Sequence, residues 1–156
     1  DVTPSAATLQ RQSVPTATRS RRVDGRTLTL VDGAAGARLV LEGVAAAFLD
    51  ALIYRACKRR IVRPRPFQAL ADLPILWSPP ADFSCPSGHT LHAFASAVLI
   101  AAQFPALAVP ALLLAALVGA SRVFLAVHYP SDVLAGAVIG TAVGAGVHVA
   151  LTPLLG

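Results

Sequence analysis

Charged residues are scarce in this chain and are missing altogether from two long stretches. Asp, Glu, Lys and Arg make up 13% of the 156 residues, whereas apolar residues make up 55%. None of the four charged types lies between residues 83 and 121 or between residues 133 and 156. Uncharged segments of this length are typical of helices that cross a membrane. The composition therefore excludes an ordinary soluble domain and predicts a membrane protein.

Cysteine and aromatic residues are also few. The two cysteines, Cys57 and Cys85, cannot supply a Cys-x-x-Cys metal site, and a single pair does not define a disulfide framework. Whether they bond to each other stays open. The net charge of +5 comes from two basic groups, one in the N-terminal tail and one around residues 58–65, and no aromatic residue interleaves with either. This pattern argues against nucleic acid as a partner.

Hydropathy and proline positions divide the chain into a tail and one domain. Residues 1–36 are rich in Ser, Thr and Arg without a helical period, which predicts a polar, flexible N-terminal tail. They contain no apolar run typical of a signal peptide, so none is expected. Residues 37–156 are predicted to form an all-α transmembrane bundle with about four membrane helices. The predicted helices are 37–58, 86–104, 106–122 and 130–151.

Two further features concern a loop at the membrane surface and the packing of the last helix. Residues 67–85 are predicted to form a loop, and the only tryptophan, Trp77, suits the interface between lipid and water. The last helix contains small residues that should let neighbouring helices approach closely, namely Gly136, Gly140, Gly144 and Gly146.

The stretch from Ser121 to Asp132 places an arginine, a histidine and an aspartate together in an otherwise uncharged part of the chain. Arg122 offers a planar fork of donors that suits a phosphate. His128 and Asp132 have the spacing of a base that is held by a carboxylate, and an unperturbed histidine is largely neutral at pH 7. The stretch therefore predicts an anion site with a candidate nucleophile.

Two earlier stretches add polar groups. Residues 58–66 read Lys-Arg-Arg-Ile-Val-Arg-Pro-Arg-Pro, and residues 86–89 read Pro-Ser-Gly-His. The second stretch begins a predicted helix, where free backbone N–H groups favour an anion. Because successive membrane helices reverse direction, all three stretches are expected to lie at the same membrane face and to converge there.

Written as K-x6-R-P, P-S-G-H and S-R-x5-H-x3-D, the three stretches resemble the signature of the type 2 phosphatidic acid phosphatase and vanadium haloperoxidase superfamily, abbreviated PAP2. All eleven fixed positions match, which is far more specific than a lone glycine-rich loop. The motifs span residues 58–132, and the hydrophobic layout resembles that of the family from about Gly43 to the C-terminus. Familiar membrane members carry six helices, whereas four are predicted here.

The resemblance implies hydrolysis of a phosphate ester through a phosphohistidine. His128 is the expected nucleophile, Asp132 accepts the N–H of its other ring nitrogen, and His89 is the general acid for the leaving oxygen. The expected phosphate-binding residues are Lys58, Arg65, Ser87, Gly88 and Arg122. No metal and no other cofactor is expected.

Other polar residues receive less specific interpretations. Asp50 and His92 are expected to face the helix bundle, with Asp50 hydrogen-bonded there. His148 is given no role. Three further cations fall at variable positions of the first motif and are interpreted as interfacial charges that attract anionic headgroups. They are Arg59, Arg60 and Arg63.

These features predict a membrane phosphatase that hydrolyses a lipid phosphate or diphosphate monoester. The resemblance implies a substrate such as phosphatidic acid, phosphatidylglycerol phosphate or a polyprenyl diphosphate. It also implies a bacterial inner (cell) membrane, with the active site on the extracytoplasmic face and membrane lipids around the helices. Two alternatives stay open: a vanadium-dependent haloperoxidase, and a non-catalytic, truncated membrane remnant of the family.

Overall fold

The computed structural model describes residues 22–23, 26–27, 33–69 and 83–155. The chain divides into two compact units, Asp1–Asp32 and Gly33–Gly156. In the first unit, strand β1 (Arg22–Val23) pairs antiparallel with strand β2 (Arg26–Thr27). Residues 33–36 of the predicted tail belong to a helix, whereas the rest of the tail and the predicted position of Trp77 lie outside the described residues.

The second unit is a bundle of four long helices, which confirms the predicted all-α class. Helix α1 spans Gly33–Arg60, α3 spans Gly88–Gln103, α4 spans Ala108–Phe124 and α5 spans Pro130–Leu155. A one-turn helix, α2 (Pro66–Ala69), lies inside the predicted loop, and a 3-10 turn at Pro105–Leu107 precedes α4. Prolines explain two of these limits, because Pro105 follows α3 closely and Pro130 opens α5.

Among the described residues, two segments are long and apolar enough to cross a membrane, rather than the predicted four. They are Pro105–Phe124 and Pro130–Leu155. Helix α3 has 16 residues and is about 24 Å long, which is shorter than a hydrocarbon core of about 30 Å. Helix α1 is long enough, but it carries charged residues along most of its length.

Helix α3 is the centre of the bundle and contacts α1, α4 and α5. Its closest neighbour is α5, because a row of glycines on α5 faces the α3 backbone. A Cβ atom at Gly136 would lie 2.7 Å from the Ser87 carbonyl oxygen, and one at Gly144 would lie 2.6 Å from that of Ala95. The predicted close approach is thus confirmed here and at Gly140, but it is wrong for Gly146, whose Cβ position has no described residue of another helix within 4 Å.

The far end of the bundle is closed by a polar cluster around a fully buried carboxylate. Glu42 of α1 accepts hydrogen bonds from Arg38 (3.1 Å) and from Gln103 of α3 (3.1 Å), and it lies 3.2 Å from Nδ1 of His148 of α5. His148, for which the sequence suggested no role, therefore links α5 to α1. The outward faces of α1 and α4 are apolar and exposed, as illustrated by Phe48 and Leu117.

Candidate active site

The three polar stretches converge at one end of the bundle, as the reversal of successive helices predicts. Backbone hydrogen bonds tie them together: the Ser84 N–H donates to the Arg63 carbonyl (2.9 Å), and the Ser87 N–H donates to the Asp132 carbonyl (3.0 Å). The first of these bonds joins the segment after α1 to the segment before α3. The second joins the start of α3 to the start of α5.

Asp132 is the centre of this end of the bundle and is fully buried in the first turn of α5. One carboxylate oxygen accepts the Tyr129 backbone N–H (2.9 Å), which closes the turn that enters α5. The other oxygen accepts a hydrogen bond from Arg63 Nη1 (3.0 Å). Arg63 also donates to Ser131 (2.8 Å) and stacks over the Tyr129 ring at 3.9 Å.

The interpretation of Arg63 as a charge directed at lipid headgroups is therefore wrong, since its guanidinium pairs with a buried carboxylate. A signal was present in the sequence. Arg63 and Arg65 each precede a proline, which favours an extended backbone. Residues two apart in an extended segment point to the same side, so the Arg63 side chain is expected on the same side as that of Arg65. Both side chains do contact the segment that carries His128, since Arg65 donates to the Val127 carbonyl (2.9 Å).

His128 is buried between α4 and α5, close to the predicted cations. Burial, together with the neighbouring Arg65 and Lys58, lowers the pKa of His128 to about 4. The ring is therefore neutral at physiological pH, the form that has a lone pair for nucleophilic attack. Its Nδ1 has no hydrogen-bond partner among the described residues.

The carboxylate of Asp132 is near this ring without being bonded to it. Its Oδ2 lies 4.0 Å from His128 Nδ1, about 1 Å beyond a hydrogen bond. The predicted acceptance of a ring N–H by Asp132 is thus not made in this structure. Asp132 is held instead by Arg63 and by the Tyr129 backbone.

The turn that precedes His128 has a strained backbone. Ala126 has a φ of 53°, in the left-handed region that residues other than glycine rarely adopt. Its carbonyl accepts a hydrogen bond from the Phe67 N–H (3.3 Å), and the His128 N–H donates to the Arg122 carbonyl (3.2 Å). These hydrogen bonds offset the strain, which is of the kind concentrated at functional sites.

The start of α3 presents backbone donors beside these side chains. Ser87 is buried, and its hydroxyl accepts a hydrogen bond from Thr90 (2.9 Å) rather than capping the helix. The N–H groups of a first turn lack partners within their own helix and carry the positive end of its dipole. Gly88 lies against the Tyr54 ring, which a Cβ atom would approach to 2.9 Å. This end of α3 is suited to binding an anion.

The three predicted phosphate-binding cations lie at the same end of the bundle. Lys58 donates to the Phe83 carbonyl and lies 5.1 Å from the Tyr54 ring centroid. Arg65 is buried. Arg122 is half-buried, and its Nε donates to Ser121 (3.2 Å). Arg122 lies one turn after Gly119, which packs against Thr90, so it follows the same face of α4 towards the start of α3.

His89, the predicted general acid, is exposed in the first turn of α3. One turn further along, His92 Nδ1 lies 2.8 Å from Asp50 Oδ2 of α1. The prediction that Asp50 faces the bundle and hydrogen-bonds there is confirmed, whereas His92 contacts α1 but leaves half of its side chain exposed. Cys57 and Cys85 are free thiols. Within residues 33–69 and 83–155, no group of three or more His, Cys, Asp or Glu residues has the arrangement of a metal site.

Comparison with known proteins agrees with the motif pattern. Residues 39–154 match the family model described as the PAP2 superfamily. The chain is 37% identical over 78 residues to an undecaprenyl-diphosphatase of Sulfolobus acidocaldarius, an alignment that covers 49% of this chain and 38% of that protein. It is 35% identical over 105 residues to a decaprenylphosphoryl-5-phosphoribose phosphatase of Mycobacterium tuberculosis, covering 65% and 55%. The matched regions thus span about half or less of these curated relatives, and no solved structure matches significantly.

Proposed function

Because the chain belongs to the PAP2 superfamily, we propose that it is a membrane phosphatase that hydrolyses a lipid phosphate or diphosphate monoester through a phosphohistidine on His128. One observation carries the proposal. A neutral, buried histidine lies at the end of the bundle where the Arg65 guanidinium, the Lys58 ammonium and the start of α3 also lie. A nucleophile next to several anion-binding groups is what phosphoryl transfer requires.

The first chemical step transfers the phosphoryl group to the protein. A lone pair on a ring nitrogen of His128 forms a bond to phosphorus, and the bond between phosphorus and the leaving oxygen breaks. The electron pair departs with that oxygen, which takes a proton from His89 acting as general acid. Lys58, Arg65 and Arg122, with the Ser87 hydroxyl and the Gly88 N–H, stabilise the charge on the remaining phosphoryl oxygens.

The second step returns the protein to its starting state. A water molecule loses a proton to His89 and attacks phosphorus, and the bond to the His128 nitrogen breaks with its electron pair returning to the ring. Inorganic phosphate is released. Asp132 stabilises the positive charge that develops on His128 in both steps, and a shift of about 1 Å would bring the two groups into hydrogen-bond distance.

The substrate is proposed to be a lipid, because one end of the bundle carries the polar site while α4 and α5 expose apolar surface beyond it. The names of both matched relatives point to polyprenyl substrates, which support a polyprenyl phosphate or diphosphate here. We also propose a bacterial cell membrane location with the active site on the extracytoplasmic face, as the resemblance implies.

The direct test is to assay the detergent-solubilised chain with lipid mono- and diphosphates and to trap the covalent intermediate. Phosphohistidine is expected after rapid quenching at alkaline pH, and it should be absent from His128→Ala. Histidine-to-glutamine replacement of His148, at the far end of the bundle, is the matched control and should retain the adduct. Hydrolysis by His128→Ala at the wild-type rate would overturn the proposal.

A further inference from the structure

Helix α1 contacts α3 through a row of polar residues that are four positions apart from Lys58 to Asp50 and eight positions apart from Asp50 to Glu42. Residues four apart are neighbours on a helix surface, so the row is continuous from Lys58 to Asp50, and the apolar Ala46 interrupts it before Glu42. Each member meets a partner on α3 or just before it, and the order reverses as expected for antiparallel helices. From the active-site end, the pairs are Lys58 with Phe83, Tyr54 with Gly88, Asp50 with His92, and Glu42 with Gln103.

The Asp50–His92 pair differs from the others because it combines a buried carboxylate with an open imidazole. The Asp50 side chain is 1% exposed, and its Oδ1 has no hydrogen-bond partner among the described residues. Its Oδ2 lies 2.8 Å from His92 Nδ1, while the His92 side chain is 50% exposed. The carboxylate therefore fixes the ring through Nδ1 and leaves Nε2 available to a ligand.

The position of the pair follows from the helix that carries it. His92 comes three residues after His89, so both lie on one face of α3. His92 is about 4.5 Å further along the helix axis, away from the end where the three motifs meet. If His89 protonates the oxygen that leaves phosphorus, a group attached to that oxygen is within reach of His92, one turn away on the same face of α3.

We propose that Asp50 and His92 form a subsite for the second phosphate of a diphosphate substrate, the one that stays on the lipid. The inference rests on the proposed function and narrows its substrate class. In the bound state, an imidazolium between the Asp50 carboxylate and the phosphate donates one hydrogen bond to each. Charge-assisted hydrogen bonds of this kind are stronger than neutral ones. A lipid monophosphate has no group at this position and gains nothing from the pair.

The test compares farnesyl diphosphate with farnesyl monophosphate, which differ only in the second phosphate. The measured quantity is the ratio of kcat/KM on the diphosphate to kcat/KM on the monophosphate. The ratio should fall about tenfold or more in His92→Gln, as expected for the loss of one hydrogen bond to a charged group. Asp50→Asn should lower the same ratio, because the ring loses its fixed carboxylate.

Two further variants sharpen the comparison. His148→Gln removes a histidine that also meets a buried carboxylate, but at the far end of the bundle, and should leave the ratio at its wild-type value. His89→Ala should raise the ratio, because a phosphate leaves more readily than a lipid alkoxide and depends less on a general acid. A ratio taken within one variant is independent of the fraction of folded protein, so partial misfolding does not obscure it.

An unchanged ratio in both His92→Gln and Asp50→Asn would overturn the subsite. An increase of the ratio in His92→Gln, as in His89→Ala, would show instead that His92 acts on the leaving oxygen. Failure of the proposed function would give a different result, because the wild-type chain would then hydrolyse neither farnesyl substrate.

Discussion

Replacing Gly140 with alanine should separate α3 from α5 and damage both stability and activity. A Cβ atom at this position would lie against the Leu91 backbone, 2.9 Å from its carbonyl carbon and 3.1 Å from its Cα. Carbon atoms pack at about 3.5–4.0 Å, so α5 must move away by roughly 1 Å. A helix backbone cannot rotate aside as a side chain can, and the whole contact must therefore open.

The magnitude follows from two opposing terms. Overpacking costs about 1–3 kcal/mol, and the rigid partner places Gly140→Ala near the upper end. Exchange of glycine for alanine in a helix returns about 1 kcal/mol, which leaves a net loss of roughly 2 kcal/mol. Because α3 carries Ser87 and His89 while α5 carries Asp132, a displacement of about 1 Å should also lower kcat/KM by about 10²-fold.

The matched control is Gly146→Ala, on the same helix. In the part of the chain that the structure describes, no other element comes within 4 Å of its Cβ position, so this variant should be more stable than wild type by about 0.4–1 kcal/mol, with unchanged activity. Thermal unfolding in detergent, followed by far-UV circular dichroism, measures the first effect, and phosphate release measures the second. Equal stability and activity of the two variants would refute the close α3–α5 contact and the reasoning built on it.

Four other outcomes are expected. His89→Ala should lose roughly 10²-fold more activity on a lipid phosphate than on para-nitrophenyl phosphate, whose leaving group needs no proton; equal losses in kcat/KM would remove His89 from the general-acid role. Arg122→Lys should be nearly as inactive as Arg122→Ala, down about 10²-fold or more, because lysine keeps the charge but loses the fork of donors; near-normal turnover would contradict bidentate phosphate binding. Orthovanadate should inhibit competitively at low concentration while a chelator has no effect, and activity lost on chelation and restored by a divalent ion would oppose this. His128 should remain neutral in an NMR titration from pH 8 to 5.5, because its pKa is lowered to about 4. Between about pH 6.5 and 4 the unfolded chain binds a proton at this histidine and the folded chain does not, so the free energy of unfolding should decrease as the pH falls through this range.

The sequence alone was sufficient for the helical class and for the place where the motifs meet. Long uncharged segments permit little besides helices that face lipid, and prolines mark where several of them start or stop. Once helix order is known, reversal of direction brings Lys58, Ser87 and His128 to one end. The family could also be identified from the sequence, because the eleven motif positions are specified residues at specified spacings.

Only the tertiary structure decided which groups pair. Arg63 and Arg65 are alike in the sequence, yet one pairs with the Asp132 carboxylate and the other donates to a backbone carbonyl. The four glycines of α5 are also alike, but only Gly136, Gly140 and Gly144 face α3, because the rotation of α5 about its axis is set by its contacts. Asp50 and His92 are separated by 42 positions and meet because α1 and α3 run antiparallel. Such contacts depend on side-chain direction and helix rotation, which long-range packing fixes and local sequence does not.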